Sequence, residues 1–383
     1  MPNNLPPFLE KAQKRALQHH NKDQDDYLTT RWEKFVEKLC QQVPEVAYDQ
    51  ETRLLTLGNI SPGCVYCRTG QWDCFFVTDC CNLNCEFCYS QNKTSGKFQG
   101  SNLGNEVHHN LSRYQQLGIK GLSFSGGEAL LEKEQLYQWL SDATQSGWLS
   151  HIWLYTNGLL LNEAVIKELA RRGLNEIRFN AAATGYRNPY VLRMLNKSAK
   201  YLERVTVEIP LISAHEKVLL KSLKSWAESG VRVLNIHELL FEPGSNAENF
   251  PGEKQTVTMP DGHITAVSPQ SDDLALKIFQ TVQSRDLDLG INYCSTAGKW
   301  QQLTARREML LPLTREDNEY YLGNGLLESY FAVDGLQVRA ISRETLENSN
   351  TINNHNAIYR LLRMAPLSLY ENDKQWLQFE AVT

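Results

Sequence analysis

The sequence lacks several features that define common classes of protein. It contains no run of about 18 apolar residues, and its first residues, with Pro2, Pro6 and the charged run Glu10 to Arg15, lack the apolar core of a signal peptide. It also lacks a basic excess, because 39 lysines and arginines stand against 44 aspartates and glutamates, for a net charge of -5. We therefore expect a cytoplasmic protein with no membrane partner, and the charge disfavours nucleic acid as a partner.

Cysteine, by contrast, is plentiful. Eight of the nine cysteines are clustered or placed in motifs, and in a chain of 383 residues with no secretion signal such thiols indicate metal rather than disulfides. The tightest group is Cys81, Cys85 and Cys88, in the pattern CxxxCxxC. Three thiolates at this spacing can ligate three irons of one [4Fe-4S] cluster and leave the fourth iron open for chemistry. The alternatives are a structural zinc with a fourth ligand and a cluster used only for electron transfer.

A second cysteine group precedes the first. Cys64 and Cys67 are spaced as a metal knuckle, and Cys74 follows them. A closed site needs a fourth ligand, for which we favour Cys294, at the end of a short strand-like run, over Cys80, which adjoins the CxxxCxxC triad. An auxiliary Fe-S cluster, a mononuclear iron and a structural zinc all fit this set. The alternative is a group of reduced, buried thiols.

Strand and helix patterns alternate from Phe75 onward. The predicted strands are 75–78, 121–125, 151–156, 176–180, 205–212 and 231–241, joined by helical connections. Each connection is long enough for a right-handed parallel crossover, so the pattern predicts an α/β fold with a parallel barrel or part-barrel. We expect three segments: an N-terminal helical extension over 1–60, a core barrel with a cysteine-rich first segment over 61–245, and a C-terminal α+β extension over 246–383 that caps the barrel mouth.

The N-terminal extension carries helical patterns. Phe8 to His19 is charged and amphipathic, and an apolar stripe follows the possible cap Asp26. The stripe consists of Tyr27, Leu28, Trp32, Phe35, Val36 and Leu39. This spacing predicts a helix packed on the barrel, and we interpret Cys40 as a core residue on the same side.

Polar residues follow the predicted strands at the end where parallel α/β folds keep their ligands. Ser125-Gly126-Gly127-Glu128 follows the second strand; the glycines allow a backbone to approach a ligand, and Glu128 offers an anion to an ammonium group. Asn157 follows the third strand, where a turn-forming Asn-Gly is the alternative. Asn180 follows the fourth strand.

The last two strands add charged candidates. Glu208 lies within an apolar strand, where a carboxylate is costly to bury without a partner, so we expect it to have a specific role. On the sixth strand either His237 or Glu238 points inward, and a satisfied core polar residue is the alternative there.

The CxxxCxxC loop, the aromatic Phe87 before its last cysteine and the Gly-Gly-Glu sequence after the second strand resemble the signature of the radical S-adenosylmethionine (radical SAM) superfamily. The resemblance implies a partial, TIM-like (βα)6 barrel, in agreement with the six units counted above. It also implies that Cys81, Cys85 and Cys88 hold the catalytic cluster and that SAM chelates the open iron. The residues that it implies for SAM binding are Phe87, Tyr89, Gly126, Gly127, Glu128, Asn157, Asn180, Glu208 and His237.

Four motifs between Pro62 and Arg307 are together similar to those of a little-characterised radical SAM group related to pyruvate formate-lyase activating enzyme. They are GCxxC followed by Gly70, the CxxxCxxC loop, Asn-x-His-Glu-Leu on the sixth strand, and Tyr-Cys-Ser at 293–295. This group has no known reaction, but the resemblance to the superfamily implies an enzyme that cleaves SAM reductively to a 5'-deoxyadenosyl radical, which abstracts hydrogen from a peptide or small molecule. It further implies a reducing partner such as flavodoxin or ferredoxin. The alternatives are an activase for a glycyl-radical enzyme and a non-catalytic Fe-S or zinc scaffold. Without a DxHxxG sequence or a second CxxxCxxC, methyl transfer through cobalamin is not supported.

Overall fold

The structure is a computed structural model. It describes residues 25–88, 103–241, 246–250, 252, 254–258, 264–317, 319–323, 325–332, 358–365, 367 and 376–382. The predicted helix over 8–19 and the predicted SAM contact Tyr89 lie outside these residues. Among the helices of the described part, none has both the length and the hydropathy that crossing a membrane requires.

The elements follow one another in three groups. The first group is α1 (Asp25–Gln42), β1 (Val46–Asp49), β2 (Leu54–Leu57) and α2 (Pro62–Arg68). The second is β3 (Trp72–Thr78), α3 (Leu103–Leu117), β4 (Gly121–Gly126), α4 (Lys133–Gln145), β5 (His151–Thr156), α5 (Glu163–Arg171), β6 (Glu176–Phe179), α6 (Pro189–Ser198), β7 (Arg204–Pro210), α7 (Glu216–Glu228) and β8 (Val233–His237). The third is β9 (Leu240–Phe241), β10 (Gln255–Thr258), β11 (Ile264–Val267), α8 (Gln270–Ser284), β12 (Gly290–Cys294), α9 (Thr296–Thr314), β13 (Glu319–Gly323), β14 (Leu326–Ala332), β15 (Ile358–Met364) and β16 (Trp376–Val382).

The largest sheet contains nine strands in the order β1-β2-β12-β8-β7-β6-β5-β4-β3. Strands β3 to β8 are parallel to their neighbours, with a helix in each connection, which confirms the predicted partial (βα)6 barrel. The sixth predicted strand is shorter than expected and ends at His237. The residues Leu240 and Phe241 leave it and join a separate sheet with β10 and β11.

The core sheet continues beyond the six predicted strands. Strand β12 pairs parallel to β8, and β2 pairs antiparallel to β12, so both flanking segments contribute strands to the sheet. All five residues of β12 are buried, as a strand covered on both faces requires. The division at 60/61 and 245/246 remains a prediction, and the sheet draws strands from all three predicted segments. The remaining strands β13 to β16 form a four-stranded antiparallel sheet.

Alternation along the strands separates two faces of the sheet. On β5, Ile152 and Leu154 belong to the main hydrophobic core beneath the helices. Because neighbouring side chains on a strand point to opposite faces, Trp153 and Tyr155 point into the barrel. The same rule places Cys74 on the interior face of β3, since Phe75 lies in the core.

Helix α1 packs on this core as predicted. Trp32, Phe35 and Leu39 are buried, and the rings of Trp32 and Phe35 lie 5.9 and 5.4 Å from the ring of Tyr293 on β12. The prediction for Cys40 was wrong, because this residue is exposed. Successive residues on a helix are about 100° apart, so the position after buried Leu39 is turned away from the core.

Candidate active site

The CxxxCxxC loop begins where β3 ends, at the carboxyl edge of the parallel sheet. Cys81, Cys85 and Cys88 are each partly buried. Burial, with smaller contributions from the neighbouring thiols of Cys81 and Cys88, raises the pKa of Cys85 to about 12. Burial also raises the pKa of Cys81, with a contribution from Cys88. The three thiols therefore lie close enough to influence one another.

The Gly-Gly pair at the end of β4 holds this loop through the backbone. The amide of Gly127 donates to the carbonyl of Thr78 at 2.8 Å, and the amide of Glu128 donates to the carbonyl of Cys80 at 2.8 Å. A Cβ atom on Gly126 would lie 2.1 Å from the Thr78 oxygen, and one on Gly127 would lie 2.2 Å from the Cys80 oxygen. Only glycine allows this approach, so both glycines are required to join β4 to the cysteine loop.

The Glu128 carboxylate joins the ends of two neighbouring strands. Its side chain accepts hydrogen bonds from the Thr156 hydroxyl at 2.9 and 3.1 Å, from the Asn157 amide at 2.8 Å and from the Leu130 amide at 3.2 Å. Burial raises the pKa of Glu128, and these hydrogen bonds offset part of the rise. The predicted contact with the SAM ammonium group remains a prediction.

Asn157 extends the same contacts to the cysteine loop. Its Nδ2 donates to Oδ1 of Asn82 at 2.7 Å, and its own Oδ1 accepts from the Leu159 amide at 3.0 Å. Asn180, at the next strand end, accepts from the Ala183 amide at 3.3 Å and begins a short 3-10 helix. Both asparagines therefore have local structural roles at the mouth where the sequence predicted SAM contacts.

Glu208 and His237 lie next to each other inside the barrel. The Oε1 atom of Glu208 is 2.9 Å from Nε2 of His237, and Oε2 accepts from Arg178 at 3.0 Å and from Asn235 at 2.8 Å. Burial raises the pKa of Glu208, but His237 and Arg178 overcome this and hold it at about 2. Glu238 points the other way, where Arg31 of α1 binds it at 2.6 Å. The inward residue on this strand is therefore His237.

The second cysteine group lies within the barrel. Burial raises the pKa of Cys67 well above its usual value, and Cys294 and Cys64 raise it further. Burial raises the pKa of Cys64 to about 12, and Cys294 is again among the contributing groups. Cys74, whose pKa burial raises to about 12, shares the charged neighbours of Cys64. The structure thus brings Cys294 close to Cys64 and Cys67, whereas Cys80 lies on the CxxxCxxC loop.

The donor chemistry fits an Fe-S cluster on the loop. Within the described ranges, no three His, Cys, Asp or Glu side chains are arranged to hold a single metal ion. An Fe-S cluster takes its thiolates on separate irons, so its ligands need not converge on one point. Three mutually interacting thiols on one loop at the strand ends match a cluster with one open iron.

Arg178 is the main interior residue that the sequence did not reveal. Its guanidinium lies 3.0 Å from carboxylate oxygens of both Glu176 and Glu208, and it stacks 4.9 Å above the ring of Trp153. The alternation of Glu176 and Arg178 in a buried strand was the available signal, because residues two apart share a face. Asn82, which accepts the hydrogen bond from Asn157, was also missed, and no feature of the sequence pattern marks it.

Comparison with known proteins identifies the superfamily. The radical SAM superfamily profile matches residues 75–252, from β3 past the last barrel strand. A Methanocaldococcus jannaschii protein named provisionally as a glycyl-radical enzyme activating enzyme is 29% identical over 246 residues, which cover 62% of this chain and 64% of that protein. An uncharacterised protein of the same organism is 30% identical over 43% of this chain and 56% of its own length. The chain thus spans less than two thirds of each of these relatives.

Comparison with solved structures gives matches of low score. The crystal structure of Streptococcus suis SuiB matches 82% of this chain and 65% of SuiB, at 12% identity and a TM-score of 0.46, which is too low to bear on function. The match to the superfamily profile includes the cysteine loop, the Gly-Gly-Glu sequence and the interior Glu208, all of which the geometry places on or within one barrel. Residues 75–252, the barrel segment of the chain, therefore match the radical SAM superfamily.

Proposed function

We propose that this protein is a radical SAM enzyme whose [4Fe-4S] cluster is held by Cys81, Cys85 and Cys88 with SAM at the open iron. When bound and reduced, the cluster supplies the electron that cleaves SAM to methionine and a 5'-deoxyadenosyl radical, which abstracts hydrogen from the substrate. One observation carries the proposal: three interacting thiols lie on a loop that the Gly126-Gly127 backbone fixes at the carboxyl edge of the barrel. This edge is where parallel barrels build their active sites.

The protein's own residues would position the reactants and exclude water. Gly126, Gly127 and Asn157 hold the loop through the contacts described above, so the thiols keep a fixed place relative to the strand ends. The ionised Glu208 beside His237 offers a fixed charge pair beneath that edge. Preorganised dipoles and charges of this kind replace water around a reactive group. The SAM contacts proposed from the resemblance are Phe87, Tyr89, Gly126, Gly127, Glu128, Asn157, Asn180, Glu208 and His237.

The substrate is proposed to be a peptide or a small molecule, with a flavodoxin or ferredoxin as the electron donor. The name of the M. jannaschii relative favours a second candidate, an activase that generates a glycyl radical on a partner enzyme. The two differ in product, because an activase leaves a glycyl-radical signal on a second protein. Detection of that signal by electron paramagnetic resonance (EPR) would favour the second candidate.

We also propose an auxiliary Fe-S cluster on Cys64, Cys67, Cys74 and Cys294, since such a cluster does not need its thiolates to converge on one point. A mononuclear metal on the same cysteines would require their side chains to move closer together. The mutual influence of the Cys64, Cys67 and Cys294 thiols supports this set. Replacing Cys294 with alanine should lower the metal content of the anaerobically reconstituted protein and leave the CxxxCxxC cluster in place. Cys40→Ala is the matched control, because Cys40 is an exposed thiol on α1. Unchanged iron and zinc in Cys294→Ala would remove Cys294 from the ligand set.

The proposed reaction is tested on anaerobically reconstituted protein reduced with dithionite in the presence of SAM. Mass spectrometry should detect 5'-deoxyadenosine with the native chain and with Cys40→Ala, and none with Cys85→Ala. Equal product from Cys85→Ala would contradict the assignment of the cluster. An intact cluster that neither binds nor cleaves SAM would indicate the scaffold alternative.

A further inference from the structure

A row of side chains crosses the mouth of the barrel from the end of β6 to the cysteine loop. We propose that His215 is a positioning residue that fixes the Cys85–Cys88 segment by binding Glu86, and that Tyr186 sets the orientation of His215. The proposal rests on the proposed function, because the segment that His215 holds carries two of the three thiols.

The contacts define which atoms donate. Nε2 of His215 lies 3.2 Å from Oε1 of Glu86, and Nδ1 lies 3.0 Å from the Tyr186 hydroxyl oxygen. A carboxylate can only accept, so Nε2 must carry the proton that points to Glu86. In the neutral ring Nδ1 then accepts the hydrogen of the Tyr186 hydroxyl. The two rings also meet edge to face, with centroids 5.5 Å apart, and the three side chains therefore form a directed chain of hydrogen bonds.

Tyr186 is held in place at a conformational cost. Its φ of 66° lies in the left-handed region, which a residue with a Cβ rarely adopts. Trp226 of α7 retains it there, since the indole Nε1 donates to the Tyr186 carbonyl at 3.0 Å and the two rings stack at 6.4 Å. Strained residues persist only where their surroundings hold them, and they concentrate at functional sites. In this backbone conformation the Tyr186 hydroxyl lies within hydrogen-bonding distance of His215.

The His215 side chain has no role in the helix that it precedes. His215 is the N-cap residue of α7, yet its side chain makes no capping hydrogen bond. Its ring is about one third exposed, with a side-chain accessibility of 32%. Replacing the ring therefore removes no helix cap, and the change acts on Glu86 and Tyr186.

The cysteine segment is also held from its other side. Nδ2 of Asn249 donates to the carbonyl of Glu86 at 2.7 Å, and Nδ2 of Asn246 donates to the carbonyl of Phe87 at 2.9 Å. These two hydrogen bonds bind the backbone of the segment, whereas His215 binds the side chain of Glu86. Loss of His215 should therefore loosen the segment without releasing it.

The test compares three variants of the full chain. His215→Phe keeps the ring area and removes both nitrogens, and His215→Gln returns an N–H donor. Glu216→Gln is the control at the next position, where it removes a surface ion pair with Lys277 at 2.8 Å and an acidic side chain from the first turn of α7. Three measurements are made: the rate at which a chelator removes iron from the reconstituted protein, amide hydrogen exchange across 81–88 in the metal-free chain, and the EPR spectrum of the reduced cluster with SAM.

We expect His215→Phe to lose iron about two- to five-fold faster, because a partly exposed contact between His215 and the Glu86 carboxylate contributes no more than a partly exposed ion pair does. Exchange across 81–88 should rise in the same variant, and the EPR spectrum of its reduced cluster with SAM should broaden. His215→Gln should recover most of both effects, and Glu216→Gln should match the native chain.

Native rates in His215→Phe would overturn the proposal, and so would His215→Gln behaving like His215→Phe, since the N–H donor would then not matter. Glu86→Ala should also mimic His215→Phe, and combining the two should add nothing. Failure of the proposed function is a separate result, visible as native protein that holds a cluster and does not cleave SAM. The exchange measurement reports on His215 in either case.

Discussion

The two cysteine groups of this barrel are built in opposite ways. Cys81, Cys85 and Cys88 lie on a loop, are partly buried, and are held through backbone contacts from two glycines. Cys64 and Cys294 are buried inside the barrel, next to a network of ionised side chains around Arg178. In the proposed function the loop thiols admit small molecules and an electron, whereas the interior thiols share a desolvated space with fixed charges.

This difference separates what each group depends on. The loop geometry depends on the absence of side chains at two glycines and on a few hydrogen bonds. The interior geometry depends on the balance of buried charges, since Arg178 pairs with both Glu176 and Glu208. Changes that disturb one group should leave the other largely intact, and the following predictions test that independence.

The largest effect is expected from Arg178→Met. The substitution leaves Glu176, which is fully buried, and Glu208 without their shared cation, and breaking a buried pair in this way costs about 3–5 kcal/mol. Denaturant unfolding of the metal-free chain should show this loss. Iron bound by Cys81, Cys85 and Cys88 should persist in the folded fraction.

Arg178→Lys is the matched control, because it keeps the charge and loses the stacking on Trp153 and the paired hydrogen bonds. Its loss should be smaller than that of Arg178→Met. If Arg178→Met removes the loop iron before it lowers the stability, the two cysteine groups are not independent.

A smaller effect follows from the charge of Glu208. Its pKa of about 2 lies below the ordinary value of about 4.3 for glutamate, so the folded chain favours the ionised form. The stability that this contributes is fully present above the ordinary value and is lost as the pH falls toward 2. The shift corresponds to at most about 3 kcal/mol.

The free energy of unfolding should therefore fall more steeply between pH 5 and 2 in the native chain than in Glu208→Gln. Glu228→Gln, which removes an exposed carboxylate on α7, should keep the native slope. Equal slopes in Glu208→Gln and the native chain would show that the interior charge network does not hold this carboxylate ionised.

Local sequence patterns were sufficient to predict the six barrel strands. They do not show which distant segments of the chain pair with those strands. Strand β5 has the predicted bounds because its apolar run, His151 to Thr156, is bounded by turn residues on both sides. The sequence analysis places β12, the seventh parallel strand, in the C-terminal extension. The residues Ile291 to Cys294 carry no local signal of their pairing with β8. Sequence spacing likewise cannot show that Cys294 lies near enough to Cys64 to influence its thiol, since that proximity depends on how the sheet closes.

The candidate site shows the same limit at the level of single residues. The Gly-Gly pair was predicted from its chemistry, as a place where a backbone can come close to a ligand. The structure shows a different close neighbour, the backbone of Thr78 and Cys80. A Gly-Gly pair in a sequence indicates that another group approaches the backbone closely. The structure is needed to show which group this is.

The close approach of Gly127 to the Cys80 backbone leads to the smallest of the predicted effects, which concerns the cysteine loop. In Gly127→Ala the new methyl group would meet the Cys80 carbonyl oxygen at 2.2 Å, and the next nearest atoms, the Cys80 carbonyl carbon and the Asp79 oxygen, are also backbone atoms that cannot turn away as a side chain would. Such overpacking costs about 1–3 kcal/mol, so the affinity of the loop for its cluster should fall about five- to a hundred-fold. Competition with an iron chelator measures this fall. Gly118→Ala is the control for backbone strain without a clash, because Gly118 has a φ of 73° and its Cβ would meet nothing within 4 Å. The interior charge network does not touch Gly127, so the steep acid dependence assigned to Glu208 should survive in Gly127→Ala; if it disappears with the cluster, the loop and the interior form one cooperative unit.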